Sequence, residues 1–288
     1  MARPRKGSRV RIVAWNIRAG GGRRVAALAA QLARWTPDVV ALCEFRGTPP
    51  SVTLARGLAD IGMVHQLHTV DLAARNTNRL LVASRWPLRR LPSRHSPREA
   101  GRWLLAGVGA PLPFALGVMH VPNRETGLKW SFLDSVLKIA ESWGHGPAVL
   151  LGDTNSGRPG LDEETAAFNA REGEWMDALE RASWRDAFRH LRGDERAYTW
   201  YSPNGGNGFR IDQAFLNPGL LGHLGSVRYE WGRQRPGKVR TTALSDHAAL
   251  LVDLADPDHG PVGGTERAIT DAPTPSVTDP ARARRARP

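Results

Sequence analysis

The chain reads as a single α/β domain with mixed sheets, and three observations carry that expectation. Apolar stretches of strand length alternate with helical spacings through its first half. Strands that look mostly antiparallel close the chain. A hydrophobic content of 41% over 288 residues suffices for a sizeable core.

Taken in order, residues 10–16 form a strand centred on Ile12-Val13-Ala14-Trp15, which runs into the turn Gly20-Gly21-Gly22. Val25, Leu28, Leu32 and Trp35 recur at helical spacing over 24–35, and Pro37-Asp38 ends that helix. Residues 39–44 are an apolar strand closing on an acid, and 52–61 read as helix. Strands are predicted at 63–67 and 80–84. Residues 87–102 read as a loop carrying Arg89, Arg90, Arg94, Arg98 and Arg102. Residues 103–109 and 114–120 form a hairpin across Pro111 and Pro113. Leu133, Val136, Leu137 and Ala140 give 130–143 one apolar side. A strand at 149–152 and an interrupted helical stretch over 161–191 follow. Strands at 197–201, 209–216, 227–231 and 248–254 complete the domain. Beyond them Pro, Thr, Ala and Arg dominate without periodicity. The organisation is therefore a basic arm (1–9), a domain (10–254) and a disordered tail (255–288).

The formal net charge is +12. The tail holds five acids and five arginines, so the excess lies on residues 1–254. A basic body favours polyanions, nucleic acid before anionic membrane, although arginine-rich coding composition produces the same excess. Cys43 is the single cysteine, so no internal disulfide forms, and its apolar run predicts a buried thiol. The apolar run after the basic N-terminus is too short for a signal-peptide core, and no stretch reaches the roughly 18 apolar residues of a membrane span. A cytoplasmic monomer without stable membrane association is the expectation.

The chemistry concentrates where strands end. Ala148-Val149-Leu150-Leu151-Gly152 runs into Asp153-Thr154-Asn155, and residues two apart in a strand share a face. An Asx turn accounts equally well for that one stretch. The pattern recurs at Asn16, Glu44, His120 and Asp212, and Ser245-Asp246-His247 precedes the last strand. Oxygen-rich sets of this kind suit Mg²⁺ or Mn²⁺. A histidine oriented by a carboxylate acts as an acid or base, but Asp246 diverges from its neighbour His247, so Asp186 or a strand-end acid must orient that ring. Arg210 and Asp212 fall on one strand face, as a substrate contact or as half of a cross-strand ion pair. Trp200, Tyr201 and Phe209 stack on bases or cap the core.

Trp15-Asn16-Ile17, Glu44, Gly117-Val118-Met119-His120, Gly152-Asp153-Thr154-Asn155, Arg210-Ile211-Asp212 and Ser245-Asp246-His247 stand in the order and spacing of the endonuclease/exonuclease/phosphatase superfamily, which the chain resembles over about residues 10–254. The resemblance implies a four-layer α/β sandwich, two mixed β-sheets packed face to face with helices outside. It also implies hydrolysis of phosphate esters with Mg²⁺ or Mn²⁺ as cofactor. By the same resemblance Glu44 and Asn16 hold the metal with Asp246 nearby, and Asp153 activates water. Asn155, His120 and His247 touch the phosphate, and Asp212 orients His247.

Arg18 replaces a common Asp or Asn, which weakens the metal site or adds a phosphate contact, and Gln213 departs from the usual Tyr or His. Residues 85–102 match no branch of the superfamily. Arg18, Arg98, Arg102, Asn123, Trp200 and Arg210 are the expected substrate contacts, and DNA the expected substrate partner. The alternatives are a phosphomonoesterase or a phospholipid or inositol-phosphate hydrolase on the same residues, and a non-catalytic nucleic-acid-binding protein on the same scaffold.

Overall fold

The computed structural model describes residues 9–232 and 243–255. The expected N-terminal arm, apart from Arg9, and the tail beyond Ala255 lie outside the described residues. The chain forms β1 (Val10–Asn16), α1 (Val25–Trp35), β2 (Val39–Phe45), α2 (Pro49–Asp60), β3 (His65–His68), β4 (Arg79–Ser84), β5 (Leu88–Arg90), β6 (Trp103–Val108) and β7 (Phe114–His120). It continues as α3 (Lys129–Glu141), β8 (Ala148–Asp153), α4 (Ala170–Arg181), β9 (Arg185–Asp186), α5 (Ala187–Arg192), β10 (Trp200–Tyr201), β11 (Gly208–Phe209), β12 (Asp212–Leu216), α6 (Pro218–Leu221), β13 (Leu224–Glu230) and β14 (Ala249–Leu254).

Two six-stranded sheets result, in the orders β13-β14-β1-β2-β4-β3 and β5-β6-β7-β8-β12-β9. Each is antiparallel except for one central parallel pair, β1 with β2 and β7 with β8. Side-chain alternation assigns the layers. Ile12, Ala14, Val39, Ala41 and Val82 of the first sheet meet Leu104, Leu116, Val118, Val149 and Leu151 of the second. The residues between them face outward: Val13, Trp15, Val40 and Leu42 pack under α1 and α2, and Met119, Leu150 and Phe215 under α3 and α4. The fold is the expected four-layer sandwich, and Cys43 is buried in its inner layer. No helix among the described residues is long and apolar enough to cross a membrane.

Some boundaries differ from expectation for identifiable reasons. The loop 87–102 contains edge strand β5, hidden because Arg89 and Arg90 are exposed and carry no apolar pattern. The first part of 161–191 is not helix. Buried Glu163 holds it as a turn, accepting N–H bonds from Gly160, Ala167 and Phe168. The helix starts only at the Asn169/Glu172 capping box. Strand 197–201 shrinks to its last two residues, and 209–216 breaks at Arg210-Ile211. Asp212 therefore opens β12 rather than closing a strand. Because β12 runs antiparallel to β8, its start lies beside the end of β8, with Asp212 opposite Asp153.

At the other end of the first sheet Asp253 accepts hydrogen bonds from Arg9, Arg11 at 2.7 Å and Ser226 at 2.7 Å. Burial opposes its charge, but these donors prevail and hold its pKa down at about 2. A carboxylate held lower in the folded than in the unfolded chain stabilises the fold above about pH 4, and that contribution fades as pH falls toward 2. Asp253→Asn should lower stability by roughly 1–2 kcal/mol at neutral pH, after allowance for solvent screening. The gap from wild type should narrow in urea melts below about pH 3; a gap independent of pH refutes the assignment.

Candidate active site

The ends of the two parallel pairs and the starts of β12 and β14 lie at one edge of the sandwich. Asn16 continues the inward parity of Ile12 and Ala14, and His120, Asp153 and Asp212 continue the inward parity of their own strands. Side chains from opposed sheets therefore meet, and Asn16 Nδ2 donates to Asp153 Oδ2 at 3.0 Å. Glu44 has outward parity by count. A bulge between Cys43 and Phe45, with Glu44 at φ 59°, turns it into the cleft instead. Its carboxylate accepts Ala19 N–H at 2.6 Å and Asn16 Nδ2 at 3.4 Å. The Asn16 oxygen accepts Arg18 N–H, so ligation through that oxygen requires the contact to open.

The Asp153-Asn155 arrangement is the Asx turn, not a shared strand face. Asp153 Oδ1 accepts Asn155 N–H at 3.0 Å, and Asn155 sits at φ 44°. The Asn155 amide donates to the Val121 carbonyl at 2.7 Å. Lys129 Nζ grips the Asn155 carbonyl at 2.6 Å and Glu172 at 2.6 Å, with both charged side chains buried. Among the described residues, four of the six non-glycine residues with positive φ (Arg18, Ala19, Glu44 and Asn155) lie in this region. Such clustering marks a functional site. Gly152, at φ 133°, permits the approach of β7, since a Cβ there would stand 2.0 Å from the Met119 carbonyl oxygen.

His247 Nδ1 lies 2.9 Å from Asp212 Oδ2, and its Nε2 4.0 Å from Asp153 Oδ2. The orienting acid is thus Asp212. Asp186 instead caps α5 and binds Arg210 at 2.6 Å. Thr199 Oγ1 accepts the Ile211 and Asp212 N–H groups, and Tyr229 donates to the Asp212 carbonyl at 2.8 Å. Burial disfavours charge on His247, but Asp212 and then Asp153 outweigh it and lift its pKa to about 10. Burial dominates at His120 and lowers its pKa to about 4, although Asp153 lies 3.7 Å away. Burial likewise raises Asp153, with His247 opposing and Asp212 reinforcing.

A cleft of about 320 Å³ gathers Glu44, Arg102, His120, Asn123, Asp153, Asn155, Trp200, Asp246 and His247. Asn78 and Ile211, which sequence reasoning missed, complete it. Asp246 is at the mouth, 3.8 Å from exposed Arg18. Trp200 lies beside the His247 ring, and Arg98 is exposed outside the cleft lining. Arg210 is a correction. It is fully buried between Asp162 and Asp186, so the ion-pair alternative holds and it reaches no substrate. Gln213 is also buried, donating to the Ser156 and Arg210 carbonyls, and does not line the cleft. Lys129 and Tyr229 escaped notice as well, one lying just before an amphipathic helix and the other within a strand.

Asp153, Asp212 and His247 bring ligand atoms within 4.8 Å of one another. Burial and mutual repulsion leave the acids short of positive charge, so the cluster suits a cation. A protonated His247 has no lone pair to ligate one, so the groups in the cleft that could hold a hard divalent ion are the oxygens of Glu44 and Asn16, with Asp246 at the mouth.

The four-layer sandwich thus carries at its sheet edge a polar cleft lined by carboxylates and imidazoles. The model of the Endonuclease/Exonuclease/phosphatase family matches residues 13–247, and the chain belongs to that family. Similar solved structures include a 3'-5' exonuclease, NExo, from Neisseria meningitidis (TM-score 0.69, 20% identity, 85% of this chain and 99% of that one). An AP endonuclease from Archaeoglobus fulgidus has TM-score 0.68 at 18% identity, covering 84% and 98%. The 3' phosphatase NExo from Neisseria bound to a product DNA hairpin has TM-score 0.67 at 20% identity, covering 85% and 99%. No curated protein matches by sequence.

Two predictions follow from the geometry. In NMR titrations of metal-free protein, His247 should stay doubly protonated through neutral pH and titrate near 10, and His120 should charge only near 4. In Asp212→Asn the His247 midpoint should fall back toward 6.5; an unmoved midpoint rejects the pairing. Lys129→Met leaves buried Glu172 with Arg124 and the Asn169 N–H as its donors and should cost about 1–3 kcal/mol in denaturant unfolding. Lys129→Met/Glu172→Met should recover part of that loss, and a strictly additive double variant contradicts the coupling.

Proposed function

We propose that the protein is a divalent-metal-dependent phosphodiesterase, a nuclease that hydrolyses DNA by in-line attack of water. The observation that carries this is the Asp212–His247 pair set beside Asp153, with Glu44 and Asn16 reaching the same cleft from the opposed sheet. A phosphodiester is anionic and repels hydroxide, so the site must supply both a base and positive charge.

Asp153 is the base that orients water and takes its proton; its burial and raised pKa make it more basic than a free carboxylate. Imidazolium His247, fixed by Asp212, donates to charge growing on the phosphoryl oxygens. Asn155 and neutral His120 add donors, and the His120 Nδ1 is buried without a partner. Asn123 and Arg102 line the same cleft as further donors, and Trp200 and Ile211 form its apolar wall against a sugar or base. Glu44 and Asn16, with Asp246 at the mouth, would hold Mg²⁺ or Mn²⁺, which would supply Lewis-acid stabilisation of negative charge on the phosphate. Arg18 reaches the mouth as a phosphate contact. The reading takes the protein as a cytoplasmic monomer.

The test is incubation with supercoiled plasmid and end-labelled linear DNA, with Mg²⁺, Mn²⁺ or EDTA. Metal-dependent cleavage is expected, with Asp153→Ala and His247→Ala each down by about a thousandfold or more while circular dichroism is unchanged. Retained activity in both variants refutes the assignment. Release of phosphate from 3'-phosphorylated ends without strand cleavage moves the activity to a phosphomonoesterase. Binding without turnover in every metal supports a non-catalytic scaffold.

A further inference from the structure

We infer that the arginine-rich segment around β5 is a second contact surface for the nucleic-acid backbone, outside the cleft. This rests on the nucleic-acid reading of the cleft. Residues 85–102 hold six arginines and one acid, Glu99. Arg85 is committed to Asp38. Arg90, Arg94 and Arg98 are exposed, and among the described residues none pairs with a carboxylate. Their visible contacts are neutral: Arg90 to the His68 carbonyl and Arg94 to the His95 ring. Arginines elsewhere are often neutralised, as Arg158 is by both Asp177 and Glu180.

The fold ties this segment to the site. Arg90 meets the His68 carbonyl at the end of β3, and the next residue, Thr69, donates to the Gly101 carbonyl at 2.7 Å. Both feet of the loop 91–101 are therefore gathered at one point, and the following residue, Arg102, lines the cleft. A polyanion seated on Arg102 passes directly to the loop bearing Arg98, Arg94 and Arg90.

Clustered guanidinium groups repel one another, and a face serving only solubility mixes both signs. A phosphate backbone relieves that repulsion and releases condensed counterions. An anionic membrane is the weaker partner, because none of the exposed large hydrophobic residues lies in 85–102 to insert between lipids.

The test uses the full chain and an Arg90→Gln/Arg94→Gln/Arg98→Gln variant, leaving Arg102 in place. Binding is measured by fluorescence anisotropy in EDTA, over a KCl series, with a long oligonucleotide and with a tetranucleotide. Loss of three phosphate contacts should flatten the slope of log K against log salt by about 2–3 and weaken long-strand binding by about tenfold or more. Tetranucleotide binding and the thermal midpoint should stay close to wild type. An unchanged slope with the long strand overturns the inference, even if the wild type cleaves DNA. A flattened slope in a protein that cleaves no DNA leaves the surface standing and removes the nuclease reading. Loss of binding to anionic phospholipid vesicles, with DNA binding intact, reassigns the surface to lipid and also overturns it.

Discussion

Keeping the buried carboxylate of Asp153 ionised is the constraint on which the rest of the site depends. A carboxylate with almost no exposed surface faces a penalty of several kcal/mol unless its lone pairs and charge are answered. The answers come from both sheets. Asn16 of the first sheet donates to one oxygen, and the Asn155 N–H of the second donates to the other. His247, just before the last strand, supplies positive charge, but only because Asp212 holds it protonated. Removing Asp212 would therefore weaken Asp153 indirectly, by discharging its partner. These five groups form one electrostatic unit, which keeps a net negative charge.

That unit needs a backbone that ordinary strands do not provide. Glu44 and Asn155 take left-handed conformations, which cost a non-glycine residue roughly 1–2 kcal/mol each. Contacts on neighbouring elements offset the strain. Gly20 N–H bonds the Glu44 carbonyl, and Lys129 grips the Asn155 carbonyl from the start of α3. Arg24 staples the turn after β1 to the segment before His247, donating to the carbonyls of Ile17, Arg18 and Leu244. Buried Arg210 does the same for β12, fixing Asp162 and Asp186 just before Asp212. Such residues do not line the cleft, yet they fix the backbone that positions its side chains.

Period-two alternation made much of this legible in advance. Asn16, His120, Asp153 and Asp212 lie on the inward faces of apolar strands, so their convergence follows once two sheets are stacked. Glu44 stands out as an acid at a strand end, but its direction did not follow from alternation, because a one-residue bulge reverses its face. Arg210 shares strand parity with Asp212, which leaves a substrate contact and an ion pair both open; the strand breaks there and the guanidinium turns inward, between Asp162 and Asp186. Lys129 stands where helical spacing assigns polar residues to solvent, so its burial was invisible. The Asn169-x-x-Glu172 capping box was readable and would have moved the start of α4 to its observed position.

The frame and the selectivity of this protein therefore draw on different parts of the chain. Solved structures at 18–20% identity superpose with TM-scores of 0.67–0.69, as expected if stacking two alternating sheets demands a pattern rather than particular residues. The cleft edge draws instead on loops and a short ribbon: residues 69–78 contribute Asn78, 91–102 contribute Arg102, and β10 contributes Trp200. The lining combines guanidinium and amide donors with an indole face. The side chains that meet a ligand there are thus set by loops and a short ribbon rather than by the alternation that builds the sheets.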